Sequence, residues 1–164
     1  MGEPSRTRIV SLSIDMIIHL AADHAGFALK NNVAEYLRSI GYEVTDHGAH
    51  LLDETDDYPQ IVATAAHAVA QHPESRGIVF GGSGQGEAIV ANRVAGVRAV
   101  VWYGGSTEII RLSREHNDAN MLSIGARFVT DDEAREAIRL WLETDFPAEE
   151  RHARRIAQLD HATS

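Results

Sequence analysis

The sequence predicts an α/β fold in which a parallel sheet carries helices on both faces. Five short apolar runs suit strands buried on both sides, stretches with helical spacing separate them, and the two kinds alternate along the chain. With 164 residues, 44% of them hydrophobic, the chain is long enough for one substantial core and short for two.

The first strand is predicted over Met16 to Ala22. Residues 1–15 precede it without periodicity and are expected to form a disordered extension, leaving a single domain over residues 16–160. Leu29, Val33 and Leu37 repeat every fourth residue and predict a helix, followed by a strand from Tyr42 to Thr45. Ile61, Ala65 and Val69 repeat the helical spacing before a third strand, Gly77 to Phe80. An alanine-rich helical stretch leads to a fourth strand at Arg98 to Trp102, and another helix to a fifth at Met121 to Ile124. Ala134, Ile138 and Trp141 then mark a helix at i, i+4 and i+7. Pro147 is expected to open a last helix running to about Asp160. That helix is rich in charge and poor in apolar residues, so it is predicted to pack against something other than its own sheet. In such folds ligands gather at the carboxyl ends of the strands.

Composition narrows the function. The chain has no cysteine, which excludes disulfides, thiolate nucleophiles and thiolate metal sites and favours a cytoplasmic protein. Arg6 and Arg8 precede Ile9 and Val10, but Asp15 cuts the apolar run short of a signal peptide or membrane span. A net charge of −9 argues against nucleic acid, which needs a basic face. One small phosphate is still acceptable, because local arginines and backbone N–H groups decide its binding.

The strongest motif is Gly81-Gly82-Ser83-Gly84-Gln85-Gly86-Glu87, between the third strand and a helix. Glycines let backbone N–H groups approach a ligand, and the helix start favours negative charge, so the loop reads as a small anion site; the alternative is a plain tight turn. It is no P-loop, because Glu87 stands where lysine is needed, and no nucleophile elbow, because Gln85 stands where glycine is needed. A dinucleotide fold would place its glycines after the first strand.

Asp23 and His24, directly after the first strand, share that rim of the sheet. They could exchange protons with sugar hydroxyls or hold a phosphate, or Asp23 could simply cap the next helix. In Arg114-Glu115-His116-Asn117-Asp118, His116 reads either as a helix C-terminal cap or as an acid–base group beside an orienting amide. Asp23, His24 and His116 lack tight metal-ligand spacing, so no metal is expected. Arg151 and Arg155, at i and i+4, could grip a phosphate or belong to a solvated face with Glu149 and Glu150.

Together, Ala22-Asp23-His24-Ala25-Gly26-Phe27, Asp57-Tyr58-Pro59, Gly82-Ser83-Gly84-Gln85-Gly86, Arg114-Glu115-His116-Asn117 and Arg151-His152-x-x-Arg155 resemble the type B ribose-5-phosphate isomerases, across about residues 16–160. The wider family includes galactose-6-phosphate isomerase subunits and other sugar-phosphate isomerases. The resemblance implies a three-layer α/β/α sandwich with a five-stranded, Rossmann-like parallel sheet in the order 2-1-3-5-4. It also implies a homodimer with active sites built from both subunits, and no metal or organic cofactor. One branch of the family carries a cysteine base just before the glycine loop, where this chain has Gly82; the resemblance here is to the branch whose base is a glutamate, which falls on Glu87. Asp23 and His116 are then candidates for ring opening, and Asn117 and Ser83 for holding hydroxyls. The N–H groups of Gly82 to Gly86, Gly84 included, would face an enediolate. His24 and Arg127, with Arg151 and Arg155 from the partner subunit, would take the phosphate. The implied reaction interconverts ribose 5-phosphate and ribulose 5-phosphate. Another phosphorylated sugar, such as galactose 6-phosphate, allose 6-phosphate or a tetrose phosphate, is the alternative; a non-catalytic sugar-phosphate sensor comes further behind.

Overall fold

A computed structural model describes residues 14–162. Strands β1 (Ile14–Ala22), β2 (Tyr42–Asp46), β3 (Arg76–Gly81), β4 (Ala99–Trp102) and β5 (Met121–Gly125) alternate with helices α1 (Phe27–Ser39), α2 (Tyr58–Gln71), α3 (Gln85–Asn92) and α4 (Glu108–Asn117). After β5 come a short 3-10 turn (Ala126–Phe128), α5 (Asp131–Glu143) and α6 (Glu150–His161). All strand pairings are parallel and the order is β2-β1-β3-β5-β4, as the resemblance implied. Strand β1 starts at Ile14, two residues inside the expected extension; the remainder of that extension, residues 1–13, lies outside the described residues.

The sheet separates two cores, which makes three layers. Ile18, Leu20, Ile78, Phe80 and Leu122 face Leu29, Val33 and Leu37 of α1 and Ala134, Ile138 and Trp141 of α5. On the other side Ala21, Val79 and Met121 face Val62, Ala65 and Val69 of α2 and Ala91 of α3. Each predicted periodicity thus marks a face turned to the sheet, and period-two alternation along β1 and β3 supplies both cores. Buried Lys30 ties α1 to the end of β2, donating to both carboxylate oxygens of Asp46 at 2.7 and 2.6 Å and to the Ala49 carbonyl at 2.8 Å. Its charge is matched inside the protein, as burial requires.

The last helix begins later than predicted. Ala148 adopts φ +53°, a left-handed conformation that breaks any helix started at Pro147, and α6 opens only after Glu149. His152 is its one buried residue, and its ring stacks on that of His116 at 4.3 Å between centroids. The helix therefore leans on α4 and not on the sheet. Among the described residues no helix is long and apolar enough to cross a membrane.

Candidate active site

Two clusters of the singled-out residues form, at opposite edges of the sheet. Strands β1 and β3 run in register, Ala22 beside Phe80, so the segments that follow them meet at one carboxyl rim. Asp23 is buried there, and its Oδ1 accepts from the N–H groups of Ala25 at 2.9 Å and Gly26 at 3.2 Å. It closes a turn before α1 without being the N-cap, which is Gly26. Gly26 is pressed against β3: a Cβ on it would come 2.4 Å from the Phe80 carbonyl oxygen. The close approach that glycine permits is what sets Asp23 beside the glycine loop.

That loop turns from β3 into α3 through Gly84, the helix N-cap, at φ +79°. Its carbonyl accepts from Ser123 Oγ at 2.7 Å, which anchors the turn to β5. Ser83 is exposed at the tip, and Gly86 leaves room for the Tyr58 hydroxyl, which a Cβ would meet at 2.4 Å. Glu87, in the first turn of α3, is buried with its carboxylate against Gly81. Burial pushes this carboxyl above its usual range; its backbone N–H opposes the shift and the nearby Asp23 charge adds to it. A carboxylate so desolvated is a stronger base than one in water.

The rim also carries cations. Arg127 N–H donates to the Gly82 carbonyl at 3.1 Å, and its guanidinium lies against Gly82, where a Cβ would come 2.9 Å from Nη1. His24 faces Asp56, whose Oδ1 takes its backbone N–H at 3.1 Å and stands 2.8 Å from its Nδ1. That hydrogen bond is the main reason the His24 imidazole is raised above its ordinary value; the charges of Asp23 and Asp56 act in the same direction. A histidine whose protonated form is favoured in this way, beside an arginine, suits a phosphate. Asp56 was missed from sequence: it lies in the run Asp53-Glu54-Thr55-Asp56-Asp57, which reads as a solvated acidic loop, and no spacing separates it from its neighbours. Asp23, His24 and Asp56 each offer a ligand atom within 4.8 Å of the others, enough to hold a small cation.

The second cluster is elsewhere. Helix α4 starts after the carboxyl end of β4 and ends before the amino end of β5, so His116 and Asn117 lie at the opposite edge from Glu87. His116 consequently does not join Asp23 and His24. Around it gather His152, stacked on its ring, and Arg151 and Arg155, whose charges, with that of His116, help hold the His152 imidazole below its usual value after burial. Arg151 is 60% exposed and 3.7 Å from Glu149. Beside this cluster a cleft of about 750 Å³ is lined by Asn92, Arg93, Val97, Arg98, Asn117 and Leu159.

The Ribose/Galactose Isomerase family matches residues 18–159. The chain is 44% identical over 142 residues to ribose-5-phosphate isomerase B of Mycobacterium leprae, covering 86% of each protein. It is 36% identical over 129 residues to a D-erythrulose-4-phosphate isomerase of Pectobacterium atrosepticum, covering 79% of this chain and 84% of that protein. Its fold superposes on ribose-5-phosphate isomerase B of Mycoplasma genitalium, solved with bound ribulose-5-phosphate, with a TM-score of 0.86 at 33% identity over 91% of this chain and 97% of that one. A matching order of strands and a carboxyl-rim glycine loop accompany likeness in sequence over nearly the whole described chain. The chain belongs to the ribose/galactose isomerase family, and with it to the aldose–ketose isomerases.

Proposed function

We propose that the chain interconverts ribose 5-phosphate and ribulose 5-phosphate through an enediolate, with Glu87 as the base that moves the proton. The observation that carries this reading is the buried carboxylate of Glu87 at the mouth of the glycine loop, raised by desolvation. Ring opening comes first, with Asp23 or His116 as the acid–base group. Glu87 then removes the proton on C2, leaving the negative charge on the enediolate oxygens and a neutral carboxyl on Glu87. Returning that proton to C1, while a proton passes from O2 to O1, completes the ketose and regenerates the carboxylate. One base suffices, since the two carbons are adjacent and a planar enediolate offers both to one face.

N–H groups between Gly82 and Gly86 stabilise the developing charge as an oxyanion hole does, and Ser83 and Asn117 hold hydroxyls. His24 and Arg127 take the phosphate, whose binding energy positions the reacting carbons. Arg151, Arg155, His116 and Asn117 come from a second subunit, because one chain keeps them at the edge opposite Glu87. The likeness to a tetrose-phosphate isomerase supports a second reading, in which a four-carbon substrate is preferred; turnover on a panel of aldose phosphates decides between the two. Glu87→Gln tests the mechanism. The amide is nearly isosteric and no base, so substrate binding should persist while solvent deuterium exchange at C2 nearly vanishes. Near-normal exchange would remove Glu87 from the role.

A further inference from the structure

Away from this rim, three histidines from separate elements converge under α2. His19 lies in the middle of β1, His47 directly follows β2, and His72 caps the carboxyl end of α2. His19 Nδ1 and His47 Nε2 stand 2.8 Å apart, and the His72 ring lies 6.4 Å from that of His19 at 20°. His19 is only 5% exposed, and its other nitrogen, Nε2, is buried with no hydrogen-bond partner. That nitrogen stays unsatisfied whichever ring holds the shared proton; the atoms a ligand could share are the two that face each other, Nδ1 of His19 and Nε2 of His47.

We propose that His19, His47 and His72 form a binding site for one divalent transition ion that prefers imidazole, such as Zn²⁺. Zinc–nitrogen bonds of about 2.0–2.1 Å at a tetrahedral angle hold two ligand nitrogens about 3.3 Å apart, so His19 Nδ1 and His47 Nε2 need to part by only about half an ångström. An ion between them replaces the shared proton. His72 sits exposed at the helix end and reaches the ion by rotation of its side chain, with Glu74 Oε1 3.9 Å from its Nδ1 as a neighbouring negative charge. Water completes the shell. The ion would join β1, the strand that delivers Asp23 and His24, to the segment leading from β2 towards Asp56, and so act on the rim without entering it.

Zn²⁺ alone is the probe. Titrating chelator-treated full-length protein should show one saturable equivalent by calorimetry, with the imidazole nitrogen resonances of His19 and His47 moving together. His47→Gln and His72→Ala should each weaken binding by at least about tenfold. His19→Gln removes a buried residue and can fail to fold; His47 is half-buried and His72 exposed, so the other two variants keep the test decisive. The proposal is overturned if no binding occurs up to millimolar Zn²⁺, or if binding is unchanged in folded His47→Gln. It is equally overturned if binding is lost in Asp56→Asn instead, which would put the ion at Asp23, His24 and Asp56.

Discussion

A Cβ built on Gly81 would stand 2.0 Å from Oε1 of Glu87, so the Glu87 carboxylate fills the space that any side chain at the end of β3 would need. Gly81→Ala should therefore leave β3 and its pairing with β5 intact while driving the carboxylate aside. A displacement near 1 Å at a reacting group can cost about a hundredfold in rate. The expected outcome is a fall of that order in kcat with a much smaller change in KM and an unaltered circular dichroism spectrum. Wild-type kcat in Gly81→Ala would mean that the base does not depend on this packing.

Asp56 should set the pH range over which His24 binds phosphate. Its hydrogen bond is the leading cause of the raised His24 imidazole, so Asp56→Asn lets the histidine lose its proton at lower pH. At about pH 6, where an unperturbed histidine with a pKa near 6.5 is still largely protonated, KM should rise little. It should rise several-fold by about pH 8, with kcat less affected. A KM increase equal at both pH values would show that Asp56 acts only by shaping the loop.

Nearly all of the fold was legible because each predicted stripe has one face to bury: Leu29, Val33 and Leu37 read as a helix and pack as one. Start points were less legible. Nothing in Phe146-Pro147-Ala148 announces that Ala148 turns left-handed and delays α6 to Glu150. At the site, Asp23, His24 and Glu87 could be placed together because the segments after β1 and β3 end at one rim, whereas Arg127 came only from the family resemblance. Asp56 escaped notice, since its importance lies in a contact with His24 far away in sequence, and Gly81, read only as part of the anion loop, gave no sign that the Glu87 carboxylate packs on it.

His19 should make the protein sensitive to mild acid. In the fold its pKa is lowered to about 4 by burial first and then by the charges of His47 and His72, whereas in the unfolded chain it titrates near the ordinary histidine value of 6.5. Between those values the unfolded state binds more protons, so stability falls as pH falls through this window. From pH 7 to pH 5 the loss from this residue is about 2 kcal/mol. Urea unfolding with chelator present, compared between wild type and a folded His19→Gln variant, measures it. Equal pH slopes in the two proteins would contradict the assignment.

The separation of Glu87 from His116 by the length of the sheet leads to the sharpest test of a shared site. All five strands are parallel, so everything following a strand lies at one edge and everything preceding one lies at the other. Glu87 follows β3 at one edge while His116 of the same chain precedes β5 at the other, and on the proposed reading a second copy presents its own His116, Arg151 and Arg155 to Glu87. A protein carrying Arg151→Ala and Arg155→Ala should be inactive, and so should Glu87→Gln. Mixed and allowed to exchange, the two form heterodimers in which one of the two sites takes its base from the first chain and its arginines from the second. Random assortment makes heterodimers about half of the population, each with one intact site, so activity should recover to about a quarter of wild type. Differently tagged chains confirm the exchange. If verified heterodimers stay as inactive as their parents while both parents remain folded and dimeric, the arginines do not complete a neighbour's site, and the phosphate is held by His24 and Arg127 of one chain alone.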